Sequence, residues 1–225
     1  MATGNPRRMR LGAILWICSA QFFVVNVIVA ARWSAPPYNP ARHMISSLGT
    51  TECLTQNQTY VCSPWHTAAN LSWIIAGGCI VLGTILVAPM FPRDRLGRTA
   101  TLLSAVAGTG LALVGLFPDN VDIGPHIAGA VLLIGGGNTA LILLGRSLRT
   151  ARECKRLATA APIVGVVGLV AVALMLTVGM AADVPGLFER IAGYPVIAAF
   201  PICGIAALIK LSQRSAASAG APGSR

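Results

Sequence analysis

The sequence predicts an all-α, polytopic membrane protein with six transmembrane helices and both termini in the cytoplasm. Three observations support this. Of its 225 residues, 55% are hydrophobic and only 11% charged, with a mean hydropathy of +0.71, an apolar excess that excludes a water-soluble enzyme. Six uncharged stretches come close to the roughly 20 residues that a helix needs to cross a hydrocarbon core. None alternates with the two-residue period of a barrel strand, and an open sheet edge in lipid would leave backbone donors and acceptors unpaired.

Residues 1–10 form a short basic N-terminus, and residues 11–211 hold the spans. These run from Leu11 to Ala31, Thr67 to Pro89, Thr99 to Phe117, Ile127 to Gly145, Leu157 to Met180 and Ile191 to Ile209. The first resembles a signal peptide, with Arg7, Arg8 and Arg10 before it and Ala30 and Ala31 at its end. Its apolar run exceeds the roughly 7–15 residues of a signal h-region, so it reads as a retained span. Residues 212–225, rich in Ser, Ala and Gly without apolar periodicity, read as a disordered cytoplasmic tail.

Orientation follows from the loops. Of the 17 Lys and Arg residues, all but Arg32, Arg42 and Arg190 flank the spans on one side, which marks that side as cytoplasmic. The same distribution explains the net charge of +10. Short juxtamembrane clusters without interleaved aromatics point to anionic membrane lipids as partners and away from nucleic acid.

The longest connection, residues 32–66, lies on the outer side, and a loop of that length is usually functional. Asn39 before Pro40, with Gly49 beyond, predicts a short helix from Pro40 to Leu48 at the interface. Cys53 and Cys62 share this oxidising compartment and are separated by turn-forming residues, which predicts a disulfide. Asn57-Gln58-Thr59 matches a glycosylation sequon. Cys18, Cys79 and Cys203 lie in spans, and Cys154 lies in a cytoplasmic loop.

Titratable groups collect on the outer side. His43, His66 and His126 all fall there with Asp119, Glu189 and Arg190. Asp119 closes the third span and His126 opens the fourth after Pro125, at the same depth, so the two can meet as an acid/base pair. His43, His66, His126 and Asp119 are the residues that can supply ligands to a catalytic zinc, although none show the spacing of a zinc motif. Glu189 and Arg190 open the sixth span, where an ionisable pair at the hydrocarbon boundary implies a polar cavity or partner. His43, Asp119, His126, Glu189 and Arg190 are therefore expected to converge on one outward-opening pocket. Within the spans, Gln21, Asn26, Asn70 and Asn138 are expected to bridge helices, and Gly135-Gly136-Gly137 to serve close packing rather than phosphate binding.

Four segments together resemble a known family. They are Asn39 to Gly49 (NPARHMISSLG), Asn70-Leu71-Ser72-Trp73 with Gly77-Gly78, Gly115 to His126 (GLFPDNVDIGPH), and Gly186-Leu187-Phe188-Glu189-Arg190. The chain resembles, over nearly its whole length, the integral-membrane family catalogued as domain of unknown function 998, similar in appearance to six-helix proteins of the Frag1/DRAM/Sfk1 type. That resemblance implies six spans in the plasma membrane. It implies no settled activity and no catalytic residue.

Three function classes remain. The first is a non-catalytic membrane protein whose outer polar site binds a lipid headgroup or amphiphile, or docks an envelope protein partner. The second is a membrane-embedded hydrolase or transferase acting on a lipid, by zinc or by Asp119 and His126. The third is a transporter, for which Pro195 and Pro201 in the sixth span are the only broken-helix signal.

Overall fold

The computed structural model describes residues 5–34, 36–56, 59–150 and 155–219, and six of its helices are long and apolar enough to cross a membrane. They are Pro6–Ala31, His66–Met90, Arg95–Leu116, Ile123–Ser147, Lys155–Gly179 and Pro185–Ser215. Each matches one apolar run. Several starts lie ahead of the run because polar caps add helix beyond the hydrocarbon: Asn5 accepts from the Arg7 amide, Asp94 from Gly97 at 2.7 Å, and Asp122 from Gly124 at 3.3 Å. The last helix continues to Ala219, through the segment read as the beginning of a tail. Residues 220–225, Asn57 and Gln58 of the sequon, and residues 151–154 with Cys154 lie outside the described residues.

Neighbouring spans pack in chain order, first against second and onward to the sixth, which returns to the first. The six helices thus form a closed ring. Small residues set its tightness. A Cβ on Gly108 would lie 2.9 Å from the Gly77 carbonyl oxygen, and one on Gly77 would lie 2.7 Å from the Ala112 amide nitrogen, so any side chain would push the second and third spans apart. In the fourth span, a Cβ on Gly137 would collide with Val196 of the sixth. Close packing therefore rests on Gly137 alone of the glycine triplet, since a Cβ on Gly135 or Gly136 would meet nothing nearer than 3.8 Å. Gly135 and Gly136 end a π-helical turn over Val131–Gly136.

Gln21, Asn26 and Asn138 bridge spans as expected, while Asn70 ties the second span to the connection that precedes it. Gln21 and Ser72 exchange two 2.7 Å hydrogen bonds between the first two spans, and Trp73 Nε1 donates to Asn26 Oδ1 at 2.9 Å. Asn138 donates to the Ala192 carbonyl of the sixth span at 3.0 Å, and Asn70 to that of Gly49 at 2.8 Å.

The two ends of the ring differ. One carries Arg93, Arg95, Arg98, Arg146, Arg149, Lys210 and Arg214, and is called here the basic end. The other is covered by the connection between the first two spans and is called the capped end. In the cap, β1 (Leu54–Gln56) pairs antiparallel with β2 (Thr59–Val61), Leu54 opposite Val61. One further step of that register brings Cys53 opposite Cys62, and they form the expected disulfide. Ile45, Leu48 and Val61 root the cap in the core, with Trp73, Phe22, Leu111 and Ile197 beneath.

The expected helix from Pro40 to Leu48 does not form. Asn39 does cap a turn, with Oδ1 2.9 Å from the Ala41 amide, and a separate 3-10 turn spans Ser46–Gly49. Between them the carbonyls that would propagate a helix are taken from outside. Pro40 and His43 accept from Arg190, Ala41 from the Leu187 amide at 3.0 Å, and Met44 from Tyr38 at 3.2 Å. External donors replace the helical ones, so the backbone is satisfied without a helix.

Candidate functional site

The start of the sixth span holds the cap from below. Arg190 Nη1 lies 2.7 Å from the Pro40 oxygen, 2.9 Å from that of His43 and 2.8 Å from that of Gly186, and Nη2 donates to the Tyr38 hydroxyl. The fork geometry of guanidinium suits this simultaneous contact. The Glu189 carboxylate accepts from the Ile45 amide at the head of the 3-10 turn. Gly186 passes so close beneath His43 that a Cβ would strike the His43 carbonyl and lie 2.8 Å from the Pro40 oxygen. At the rim, Arg42 pairs with Asp183, which also accepts from Thr59 Oγ1 at 3.3 Å.

His43 is buried within this network. Its Nδ1 accepts from the Asn39 amide at 2.9 Å and its Nε2 lies 3.2 Å from the Tyr60 oxygen, so the neutral ring carries its proton on Nε2. Its ring stacks on Tyr38 and touches Trp33. Burial lowers its pKa below the ordinary 6.5, and Arg42 and Arg190 push in the same direction, against the hydrogen bond that Nε2 makes to the Tyr60 oxygen. Burial likewise raises the Tyr38 hydroxyl well above its usual range, with Arg190 opposing.

A second set of contacts joins the cap to the connection between the third and fourth spans. Thr50 Oγ1 donates to Asp119 at 3.0 Å, and Asn120 exchanges hydrogen bonds with the amide and hydroxyl of Thr51 at 3.0 and 2.9 Å. His126 instead turns inward, with Nδ1 2.8 Å from the Phe117 oxygen, which staples the start of the fourth span to the end of the third. Asp119 and His126 therefore engage separate partners. His66 Nδ1 lies 3.0 Å from the Ser63 oxygen at the head of the second span. Among the described residues, no three His, Cys, Asp or Glu side chains gather closely enough to hold a metal ion.

Cavity sizes separate the two ends. At the capped end, Glu189, His126 and Ser46 line a cavity of about 40 Å³ walled by Trp73, Leu111 and Ile197. A cleft of about 30 Å³ lies beside Arg42, His43, Gln56 and Asp183. Either has room for only a few waters. At the basic end, the ring opens into a cavity of about 380 Å³, within the roughly 300–1,000 Å³ of small-molecule sites. Trp16, Cys203, Met90, Leu144 and Leu157 line it together with Arg93, Lys210 and Arg214. Trp16 is fixed by hydrogen bonds from Nε1 to the Ile80 oxygen and Thr84 Oγ1, both 3.3 Å, and by edge contacts with Phe91 and Phe200.

A family model described as "Protein of unknown function (DUF998)" matches residues 16–206. The chain belongs to the DUF998 family. The matched stretch includes the cap, the network that secures it and most of the cavity wall. Neither curated proteins nor solved structures yield a match, and the wider likeness to the Frag1/DRAM/Sfk1 type gains no support from the comparisons.

In this DUF998 protein the five residues expected in one outward pocket are distributed differently. Arg190 and Glu189 meet the backbone of the His43 segment. Glu189 and His126 border one small cavity, while His43 borders the other and Asp119 faces Thr50. Sequence reasoning missed Tyr38, Asn120 and Gly186 as cap partners because their roles depend on contacts across the chain. It also missed the basic-end cavity. Its only sequence signals were Phe91-Pro92-Arg93 at the end of the second span and the unbulky Ala206-Ala207 one turn before Lys210.

Proposed function

We propose that this multi-pass DUF998 protein is a non-catalytic plasma-membrane protein, with its basic end in the cytoplasm, that binds an amphiphile in the cavity at that end. The observation that carries this reading is the contrast in volume. About 380 Å³ at the basic end accommodates an apolar chain, whereas about 40 Å³ and 30 Å³ at the capped end do not. The outer charges expected to bind a headgroup instead favour a structural role, since Arg190 and Glu189 bond to the cap backbone. Asp119 and His126 bond to different partners, which weakens an acid/base reading.

The test is lipid extraction from purified full-length protein, with mass spectrometry of what copurifies. Ala206 lines the cavity yet is exposed, so Ala206→Trp adds bulk there without disturbing packed residues. Wild type should retain an amphiphile that the variant loses. Equal retention by both would overturn the proposal.

A further inference from the structure

We infer that Glu189 and His126 form a proton-binding site beneath the cap, sharing one proton through water in the cavity of about 40 Å³ that both border. This site is independent of the basic-end cavity and of what fills it. Its polar groups converge from three directions. Ser46 comes from the 3-10 turn of the cap, His126 from the first turn of the fourth span and Glu189 from near the start of the sixth. Around them the wall is hydrocarbon, including Leu111, Leu133, Ile134 and Ile197. Leu133 and Ile134 belong to the π-helical turn of the fourth span, and such turns recur at functional sites.

The cavity has more acceptors than donors. His126 is only 6% exposed and Ser46 only 8%. His126 Nδ1 faces the Phe117 carbonyl, which can only accept, so the neutral ring carries its hydrogen on Nδ1 and keeps a lone pair on Nε2. Among the described residues, neither that Nε2 nor Ser46 Oγ has a hydrogen-bond partner. The Glu189 carboxylate also accepts, and Trp73 Nε1, on the same wall, already donates to Asn26. Ser46 Oγ alone among the side chains can supply a hydrogen. Buried acceptors need donors. Water supplies two per molecule, and the volume admits a few waters.

Charge then favours a proton on this water-linked pair. The ionisable groups whose fields reach Glu189 include Arg190, Asp119, Tyr38 and Tyr194. The cationic Arg190 offsets the anionic Asp119, the tyrosines are neutral, and Arg42 at the rim is matched by Asp183. The Nη donors of Arg190 are given to backbone oxygens and to Tyr38. The Glu189 carboxylate is thus left as one uncompensated negative charge against hydrocarbon, which is costly. One proton, delivered from water as hydronium, removes it by forming an O–H bond on Glu189 or an N–H bond on His126 Nε2. Passage between the two along the intervening water changes no other bond.

The experiment is NMR of the full-length protein in neutral detergent, with carbon-13 at glutamate Cδ and nitrogen-15 in the imidazole rings, followed across a wide pH range. The glutamates are Glu52, Glu153 and Glu189 and the histidines His43, His66 and His126, few enough to assign each signal by substitution. In wild type the Glu189 carboxyl and His126 Nε2 signals should change together over one pH interval, because one proton serves both. Glu189→Gln should displace the His126 change by about one pH unit or more, and His126→Gln should displace that of Glu189 by a similar amount, while Glu52 and His66 stay in place. Signals that change independently in wild type would overturn the shared proton. So would a His126 signal that keeps its interval in Glu189→Gln. If Glu189→Gln fails to fold once its bond to the Ile45 amide is altered, His126→Gln read on the Glu189 carboxyl decides alone, and an unmoved carboxyl signal overturns the inference.

Discussion

Arg190 Nη1 reaches the carbonyl oxygen of Pro40 at 2.7 Å across 150 residues of sequence. The contact shows why the boundary arginine is tolerated beside lipid: its donors meet backbone carbonyls that the cap cannot satisfy within itself. The same carbonyls lose a helix and gain a guanidinium. Gly186, one turn earlier, makes room for the approach.

Arg190→Ala should therefore loosen the cap before the ring. Loss of a charge-assisted set of hydrogen bonds, which leaves the Pro40 and His43 oxygens underpaired, is expected to cost about 2 to 4 kcal/mol. Arg190→Lys should recover less than half of this, because an ammonium does not reproduce the fork that spans the carbonyls and Tyr38. Thermal unfolding of the purified variants measures the loss. Chymotryptic cleavage after Tyr60 should rise in step, and an unaltered midpoint with unaltered cleavage would remove the latch role from Arg190.

The Cys53–Cys62 disulfide closes a loop of sequence separation 9. Loop-entropy reasoning gives such a closure about 2 to 3 kcal/mol. Cys53→Ser should free the β1–β2 hairpin and with it the Tyr60 oxygen that faces His43. The expected outcome is faster amide exchange over residues 54–61 with little change in the spans. Exchange that accelerates equally in the second and third spans would mean that the bridge supports the whole bundle.

The spans and the disulfide were legible because each depends on local information: twenty apolar residues report their own environment, and two cysteines on one side report their compartment. The amides Gln21, Asn26 and Asn138 were legible for a similar reason, since a polar group in lipid must find a partner, whereas Asn70 finds its partner in the cap. The short helix at Pro40–Leu48 was misread because its fate depends on Arg190 and Leu187, which no local pattern reveals. The proline boundaries placed Asp119 and His126 close in the chain but did not specify direction. Asp119, in the turn beyond the third span, faces Thr50, whereas His126, on the first turn of the fourth, faces the Phe117 oxygen. The cavity depends on what five spans fail to fill, a property of the ring as a whole.

The proposed orientation predicts a definite labelling pattern. Reporter fusions placed after Asp122 and Asp183 should be active only outside the membrane, and fusions at Arg98 and Arg149 only inside. Basic residues in short loops direct this choice. Reversal at two of the four sites would invert the protein and put the basic-end cavity in the outer leaflet.

His43 gives the cap a pH dependence whose sign is set by its hydrogen bonds. Nδ1 accepts from the Asn39 amide, so a proton there would face another N–H and break the turn that begins the cap. With its folded pKa below the ordinary 6.5, the unfolded chain takes up a proton in a range where the folded chain does not. Stability is then complete above about pH 6.5 and falls as pH drops below it, until the folded pKa is passed and the loss levels off. For one group the slope is at most about 1.4 kcal/mol per pH unit. Thermal midpoints of wild type and His43→Gln, measured from pH 8 to pH 5 in the same detergent, isolate this contribution. The variant should start lower and decline less, so that the two curves approach one another in acid. Parallel curves across the whole range would assign the acid sensitivity to other groups and leave His43 with packing alone.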